Sequence, residues 1–226
     1  MLYLVGSPIG NLGDITLRAL EVLKEVTIIA AEDTRRSSIL LNRFEISKPL
    51  VSFHEHNEAR RTSELLERMR GGDKVALLTD AGMPSISDPG YRIVRACVEN
   101  EIRIEVIPGP SALLTALVGS GLPTDRFYFG GFLPVKSGQR ERELITALAR
   151  EVTSIYFESP HRIVRSLDVI AREDSTRLIC VARELTKQFG NIAVAKRASF
   201  ARTTRSIRQR EKSPFLFRDQ SYNYLK

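Results

Sequence analysis

Strand-like and helix-like patterns alternate regularly through the first 110 residues, and this alternation most constrains the fold. It predicts five strands separated by helices, with a polar or Gly/Pro-rich loop after each strand. Because consecutive βα units form mostly parallel sheets, we expect these loops to share one edge of an open α/β sheet. The predicted strands are residues 2–5, 27–31, 49–53, 74–79 and 103–107.

A second series of strands and helices follows the break at Pro108-Gly-Pro110. Its predicted strands are residues 127–132, 154–157 and 178–182. We therefore predict an N-terminal α/β domain over residues 1–113 and a C-terminal α/β domain over residues 114–189.

The basic residues are unevenly distributed. Residues 190–226 carry nine Lys/Arg and two Asp/Glu, so their net charge of +7 equals that of the whole chain. The preceding 189 residues are neutral overall, and global charge gives no argument that they bind nucleic acid. The tail has no sustained hydrophobic period, so we expect it to be disordered or weakly structured.

Composition and cysteine use indicate a soluble protein. No apolar run approaches the ~20 residues that span a bilayer, and the first residues lack an export signal. Cys97 and Cys180 lie in apolar patterns without metal-ligand spacing, which predicts buried free thiols. We therefore expect a cytoplasmic location and no membrane partner.

The loop from Asp80 to Gly90 directly follows the fourth predicted strand. Its glycines permit close backbone approach, and Asp80 and Asp88 offer acceptors to a cationic or hydroxyl-bearing ligand. The alternative is an ordinary pair of turns. Two acids and two serines among small residues favour a ligand site, because ligands bind at the carboxyl ends of parallel strands.

Three further groups of polar residues follow predicted strands. Glu32 to Arg36 holds two acids and two arginines, although a capped helix start would also explain it. His54 and His56 are spaced unlike any common metal site, so no metal is predicted. Glu158 precedes the third histidine, His161. The first loop, Gly6 to Gly13, has neither a dinucleotide-binding nor a P-loop spacing and is equally well explained as a tight connection.

Together these loops resemble a known family in order and spacing. GSPIGNLGDITLRALEVL, AAEDTRRS, SFHEHNE, TDAGMPSISDPGYRIVR, IPGPSALLTAL, SGLPTDRFYFGGFLP, YFESPHRI and ARELTK are similar to the bacterial ribosomal RNA small subunit methyltransferase I family. That family belongs to the tetrapyrrole-methylase superfamily. The resemblance implies S-adenosylmethionine (SAM)-dependent 2′-O-ribose methylation of a cytidine in 16S rRNA of the small subunit, by a homodimer.

The resemblance also implies a fold and a cofactor site. It predicts a mostly parallel sheet in the first domain, a mixed sheet in the second, and a cofactor cleft between them. The cofactor-binding residues that it implies are Pro8, Asp80, Ala81, Gly82, Ser85, Ile86, Ser111, Ala112, Phe157, Glu158 and Ala182.

The implied RNA substrate adds two further sets of residues. A ribose hydroxyl is a weak nucleophile, so a base is needed to help remove its proton. The candidate bases, unranked, are Glu32, His54, His56 and Glu158. Because Lys and Arg make most phosphate contacts, the RNA-binding candidates are Arg35, Arg36, Arg60, Arg61 and Lys136.

The chain departs from the family after Phe189, where the basic tail replaces the pattern that closes the second domain. We therefore expect that domain to lack its last strands and to leave an edge strand unpaired. Two alternatives follow: a catalytically impaired homologue that binds RNA weakly through its tail, and a small-molecule methylase of the same superfamily.

Overall fold

The structure is a computed structural model that describes residues 1–196 and 213–218. The chain divides into two compact units, Met1–Ser111 and Ala112–Lys226. This division lies two residues before the boundary predicted after residue 113. Within the described residues, no helix combines the length and the apolar character needed to cross a bilayer.

The first unit contains one parallel sheet with helices on both faces. Its strands are β1 (Leu2–Val5), β2 (Ile28–Ala31), β3 (Leu50–Ser52), β4 (Val75–Leu78) and β5 (Ile104–Ile107). Its helices are α1 (Leu17–Glu25), α2 (Thr34–Arg43), α3 (Glu58–Arg70) and α4 (Tyr91–Glu99). The strand order is β3-β2-β4-β1-β5, and every pair is parallel. The predicted parallel sheet is confirmed, and its carboxyl ends lie along one edge.

Alternating side chains of β1 enter two hydrophobic cores on opposite faces of this sheet. Tyr3 and Val5 pack in one core with Leu23 of α1. Leu2 and Leu4 pack in the other, with residues of α3 and α4. A strand buried on both faces is typical of a parallel sheet covered by helices. This burial explains why the strands read as continuous apolar runs.

The second unit contains a mixed sheet. Its elements are α5 (Ala112–Gly119), β6 (Phe127–Phe132), α6 (Ser137–Leu148), β7 (Thr153–Glu158), α7 (Ile163–Glu173), β8 (Leu178–Arg183), β9 (Asn191–Lys196) and β10 (Ser213–Arg218). The strand order is β6-β7-β10-β8-β9. Among the strands that the structure describes in this sheet, β6 and β7 pair in parallel and the other pairs are antiparallel. The predicted mixed sheet is confirmed.

Strands β9 and β10 correct the expectation that the sheet ends before residue 190. β10 lies between β7 and β8, with Phe215 paired to Tyr156 on one side and to Val181 on the other. β7 and β8 therefore each have partners on both sides, and the expectation of a missing pair of closing strands is wrong. Pairing with strands distant in the sequence satisfies the backbone of a segment whose local composition predicts no structure. The rest of the predicted tail, 197–212 and 219–226, lies outside the described residues.

Both cysteines are free and buried, as predicted. Burial disfavours the thiolate and raises the pKa of Cys97 to about 11 and that of Cys180 to about 12. These thiols are therefore protonated packing groups at neutral pH.

Candidate functional site

The loops after β1, β4 and β5 are joined by close backbone contacts at the carboxyl edge of the first sheet. Ser7 N donates to Gly82 O at 2.9 Å, and Gly82 N donates to Ser7 O at 3.2 Å. A Cβ atom on Gly6 would lie 2.7 Å from the Gly109 Cα atom, so a larger residue cannot fit there. The structure thus brings the first Gly/Pro loop beside the loop that begins at Asp80.

Asp80 is at the centre of a polar network between the loops after β2 and β4. Its Oδ1 atom accepts a hydrogen bond from Asp33 N at 3.1 Å, and its own backbone N–H donates to Glu32 Oε2 at 3.2 Å. Arg36 Nη1 lies 3.4 Å from Asp80 Oδ2. The Asp80 side chain keeps 23% of its surface exposed. A predicted cofactor residue, a candidate base and a predicted RNA contact are therefore neighbours.

Asp33 caps α2 and holds Arg35, although Asp33 was not among the predicted site residues. Its Oδ1 atom accepts from Arg35 N at 2.9 Å, and its Oδ2 atom accepts from the Arg35 guanidinium at 2.8 Å. These hydrogen bonds lower the pKa of Asp33 to about 2. The signal in the sequence was an acid directly before an apolar-periodic helix, which is typical of an N-cap.

A small cavity of about 60 Å³ lies beside this network. Its lining brings together predicted cofactor residues of two loops, Pro8 and Asp80, and one predicted RNA contact, Arg36. Leucines of the 3₁₀ turn after β1, of α2 and of β4 close its apolar side. The lining residues are Ser7, Pro8, Leu12, Arg36, Ser37, Leu40, Leu78, Thr79 and Asp80.

The remaining loop after Asp80 has an unusual backbone. Ser85 and Ser87 adopt left-handed φ angles of 70° and 61°. Such angles cost of order 1–3 kcal/mol for a non-glycine residue, and they cluster at ligand sites. Ile86 between them is 46% exposed, and Ala81 is also exposed. These predicted cofactor residues lie on an accessible and strained loop.

Asn57 organises the histidine loop after β3. Its side-chain oxygen accepts from His54 N at 2.8 Å, and its amide nitrogen donates to Ser52 Oγ at 2.9 Å and lies 3.1 Å from His54 Nε2. Because an amide nitrogen only donates, His54 Nε2 is the acceptor in this contact. His56 is 83% exposed and pairs with Glu55. His54 is thus held in its own loop, whereas His56 is free to reorient.

Glu58 links this histidine loop to the Asp80 loop, a role that sequence reasoning missed. Its carboxylate is almost buried and accepts from Gly90 N at 3.1 Å and from Arg92 N at 3.2 Å. Gly90, with a φ of +138°, is the N-cap residue of α4 and has no side chain that could accept a hydrogen bond from the first turn. The Glu58 carboxylate, at the start of α3, caps α4 in its place. In the sequence, the only indication of this role is that Glu58 is the last acid of the His-Glu-His-Asn-Glu motif.

The predicted RNA contacts differ in their surroundings. Arg60 is 66% exposed, whereas Arg61 is 27% exposed and lies 2.5 Å from Glu64. Lys136 is exposed at the start of α6, on a loop held by the buried Arg140. Arg140 Nη1 donates to the carbonyls of Pro134 and Val135 at 3.2 and 2.9 Å. Arg60 and Lys136 are accessible to a polyanion, and Arg61 is occupied within α3.

Glu158 at the end of β7 has a structural set of partners. Its carboxylate has no exposed surface, lies 2.7 Å from Arg162 Nη2, and accepts from Ser166 Oγ at 2.8 Å. It therefore links β7 to α7, and the structure does not favour its use as a base. Among the other predicted cofactor residues, Phe157 packs against Phe129 and Phe132, and Ala182 is buried. Ser111 and Ala112 flank the division between the units.

Comparisons with known proteins place the chain in a family. Residues 1–201 match the family described as Tetrapyrrole (Corrin/Porphyrin) Methylases. A relative from Mesorhizobium japonicum, named "Ribosomal RNA small subunit methyltransferase I", is 50% identical over 189 residues, which are 83% of this chain and 64% of the relative. The relative of the same name from Thermotoga maritima is 49% identical over 187 residues, 82% of this chain and 83% of the relative. The chain thus spans less than two thirds of the Mesorhizobium protein.

Two solved structures share the fold. A diphthine synthase superposes with a TM-score of 0.75 at 16% identity, over 96% of this chain and 89% of that chain. A uroporphyrin-III C-methyltransferase from Thermus thermophilus, solved in complex with S-adenyl homocysteine, gives a TM-score of 0.66 at 20% identity, over 96% and 97% of the two chains. These two likenesses show the fold, whereas the family match and the sequence relatives show that the chain belongs to the tetrapyrrole methylase family and, within it, to the ribosomal RNA small subunit methyltransferase I family.

Proposed function

We propose that this protein uses SAM to methylate the ribose 2′-hydroxyl of a cytidine in 16S rRNA of the small ribosomal subunit. The observation that carries the proposal is the identity of about 50% to proteins named as methyltransferases of that rRNA. The arrangement of the first unit supports it, because the matching loops meet at one edge of a parallel sheet, where such folds bind ligands.

The residues of this edge fit a cationic cofactor. SAM supplies a methyl group activated by a positively charged sulfur. The partly exposed Asp80 carboxylate offers a counter-charge, and the Gly6–Gly109 approach packs the first loop directly against the loop after β5. We assign cofactor contacts in the first unit to Pro8, Asp80, Ala81, Gly82, Ser85 and Ile86. Ser111, Ala112, Phe157 and Ala182 stay predictions from the resemblance.

Glu32 is the candidate base that we favour. Its Oε2 atom is fixed by the backbone N–H of Asp80, which orients the carboxylate beside the proposed cofactor site. His54 uses its Nε2 atom within its own loop, and His56 lies on the exposed tip of that loop. Alignment of the hydroxyl with the methyl group supplies a large part of the rate in such transfers, and Glu32 would accept the proton.

Exposed arginines at the same edge would contact the RNA backbone. Arg36 and Arg60 are each about two-thirds exposed, and neither is enclosed by its ion pair. A phosphate oxygen competes well for such a guanidinium because it offers a bidentate, charge-assisted partner. Lys136 of the second unit is a further proposed contact. A homodimer and a cytoplasmic location also remain predictions.

The test is transfer of tritium from labelled SAM to 30S subunits that lack the modification, followed by nucleoside analysis. We expect 2′-O-methylcytidine from the wild type and a loss of about 100-fold or more for Glu32→Gln, because a general base contributes about 10²–10⁴-fold. Glu21→Gln removes an exposed acid of α1 and serves as the matched control.

Three other outcomes would contradict the proposal. Label in a low-mass product instead of rRNA would indicate a small-molecule methylase. Transfer to a base nitrogen or carbon would refute ribose methylation. Absence of transfer from a folded wild type would favour a non-catalytic homologue.

A further inference from the structure

A groove of about 480 Å³ runs between α3 and α4 on the first unit, apart from the Asp80 network. Its volume falls within the range of small-ligand sites, about 300–1,000 Å³. We propose that this groove binds one nucleotide of single-stranded RNA next to the methylated residue, with its base stacked on Tyr91. The inference rests on the proposed rRNA substrate. The groove is lined by Ala59, Thr62, Tyr91, Arg92, Arg95, Ala96 and Glu99.

Two small side chains form part of the groove. Ala59 of α3 and Ala96 of α4 leave space between the two helices where larger side chains would fill it. The hydroxyl of Thr62, also in the lining, has no hydrogen-bond partner within the part of the chain that the structure describes. The Thr62 hydroxyl is itself buried, so a base entering the groove would meet the apolar surface of the two alanines.

Tyr91 presents an exposed aromatic ring. The residue begins α4 and is 67% exposed. Arg95 lies one turn further along α4, interacts with the Tyr91 hydroxyl, and places its Nε atom 2.7 Å from Glu99. The ring is therefore accessible to a base, and stacking tolerates any sequence because every base has a π-face.

The charges around the groove suit a phosphate backbone. Arg60 on the α3 side and Arg92 and Arg95 on the α4 side are each 65–68% exposed. The lining contains no large aliphatic side chain, so the groove offers little of the apolar area that a protein partner buries. An aromatic ring flanked by arginines is instead the usual platform for single-stranded nucleic acid.

The position of the groove connects it to the proposed active edge. Tyr91 follows the Asp80 loop directly, and Ala59 follows the histidine loop. Glu58 joins the two helix starts through its hydrogen bonds to the backbone of Gly90 and Arg92. A strand of RNA that enters the groove would therefore reach the edge where Glu32 and Asp80 lie.

Binding of a fluorescein-labelled 12-nucleotide single-stranded RNA, measured by fluorescence anisotropy without SAM, tests the proposal. We expect Tyr91→Ala to weaken binding about tenfold and Tyr91→Phe to bind within about twofold of the wild type, because stacking needs the ring. Arg95→Ala should weaken binding and flatten its salt dependence. Arg103→Ala is the matched control, since Arg103 is 77% exposed at the opposite edge of the sheet.

Unchanged affinity in folded Tyr91→Ala would overturn the proposal. A lower sedimentation coefficient for that variant, with unchanged RNA affinity, would show instead that the groove meets a second copy of the chain. If Tyr91→Ala fails to fold, photocrosslinking of wild type to 4-thiouridine RNA decides: a crosslink on the Tyr91 peptide supports the site, and crosslinks elsewhere refute it. Because SAM is absent, these results stand apart from those of the methylation assay.

Discussion

Asp80 and Glu158 each follow a strand at a polar loop, yet the two regions use their acids differently. Asp80 lies at the edge of an all-parallel sheet, keeps 23% of its side chain exposed, and contacts a neighbouring loop. Glu158 ends a strand of a mixed sheet and has no exposed side-chain surface. Its partners, Arg162 and Ser166, belong to the helix that directly follows that strand. An acid at a strand end is thus a site residue or an internal link, depending on what surrounds it.

Sheet direction explains much of this difference. In the first unit every strand ends at the same edge, so the loops after β1, β2 and β4 meet and their polar groups contact one another. In the second unit β10 runs antiparallel to β7, and it begins where β7 ends, with Ser213 paired to Glu158. The carboxylate of Glu158 consequently pairs with the helix that follows it rather than with a second loop.

Ending the chain after Phe189 should produce the largest difference in stability between the two units. The change removes β9 and β10 and leaves both β7 and β8 without their shared partner. We expect the cooperative unfolding of the second unit to disappear while the first unit still unfolds cooperatively, because unpaired central strands cannot satisfy their backbone groups. Thermal unfolding followed by circular dichroism, with hydrogen exchange, measures both.

A chain that ends after Arg218 is the control for that truncation, since it retains both strands. Wild-type unfolding of the chain ended at Phe189 would show that β10 contributes nothing to the second sheet. Residues 190–226 would then contribute only their basic charge and not a strand of the sheet.

Glu158→Ala should destabilise the second unit by about 3 kcal/mol, at the lower end of the range for breaking a buried ion pair. The value is low in that range because Arg162 keeps 21% of its side chain exposed and regains some hydration. Chemical denaturation measures the change, and the exposed Glu151→Ala serves as control. Wild-type stability combined with lost methyl transfer would return Glu158 to the candidate bases.

Asp80→Ala should act on ligand binding more than on folding. A lost charge-assisted contact is worth about 1.5–3 kcal/mol, so SAM affinity should fall by about tenfold to a hundredfold, beyond detection by calorimetry. Stability should change less, because the Arg36 pair is solvent-exposed. Near wild-type affinity would remove Asp80 from the cofactor site, and Asp88→Ala tests whether any acid of the loop has the same effect.

Strands with a clear local pattern were predicted well from the sequence, whereas pairings between distant segments were not. Apolar runs and loop residues located β1 to β8, since their burial follows from their own composition. β10 was missed because its partners, around Tyr156 and Val181, lie far away in the sequence. The Asp33–Asp80 hydrogen bond and the capping of α4 by Glu58 were also hidden, because only the strand order brings those loops together.

The smallest predicted effect concerns Asp33, the exposed counterpart of the Glu158 ion pair. Arg35 holds the pKa of Asp33 at about 2, below its ordinary value near 3.9. A lowered pKa stabilises the fold above about pH 4, and this contribution is lost as the pH falls toward 2. Arg35→Ala should raise the pKa of Asp33 toward its ordinary value, as measured by carbon-detected NMR titration. Arg43→Ala, an exposed arginine at the other end of α2, should leave that pKa unchanged. If the pKa of Asp33 is unchanged in Arg35→Ala, the backbone N–H groups at the start of α2 alone stabilise the Asp33 carboxylate.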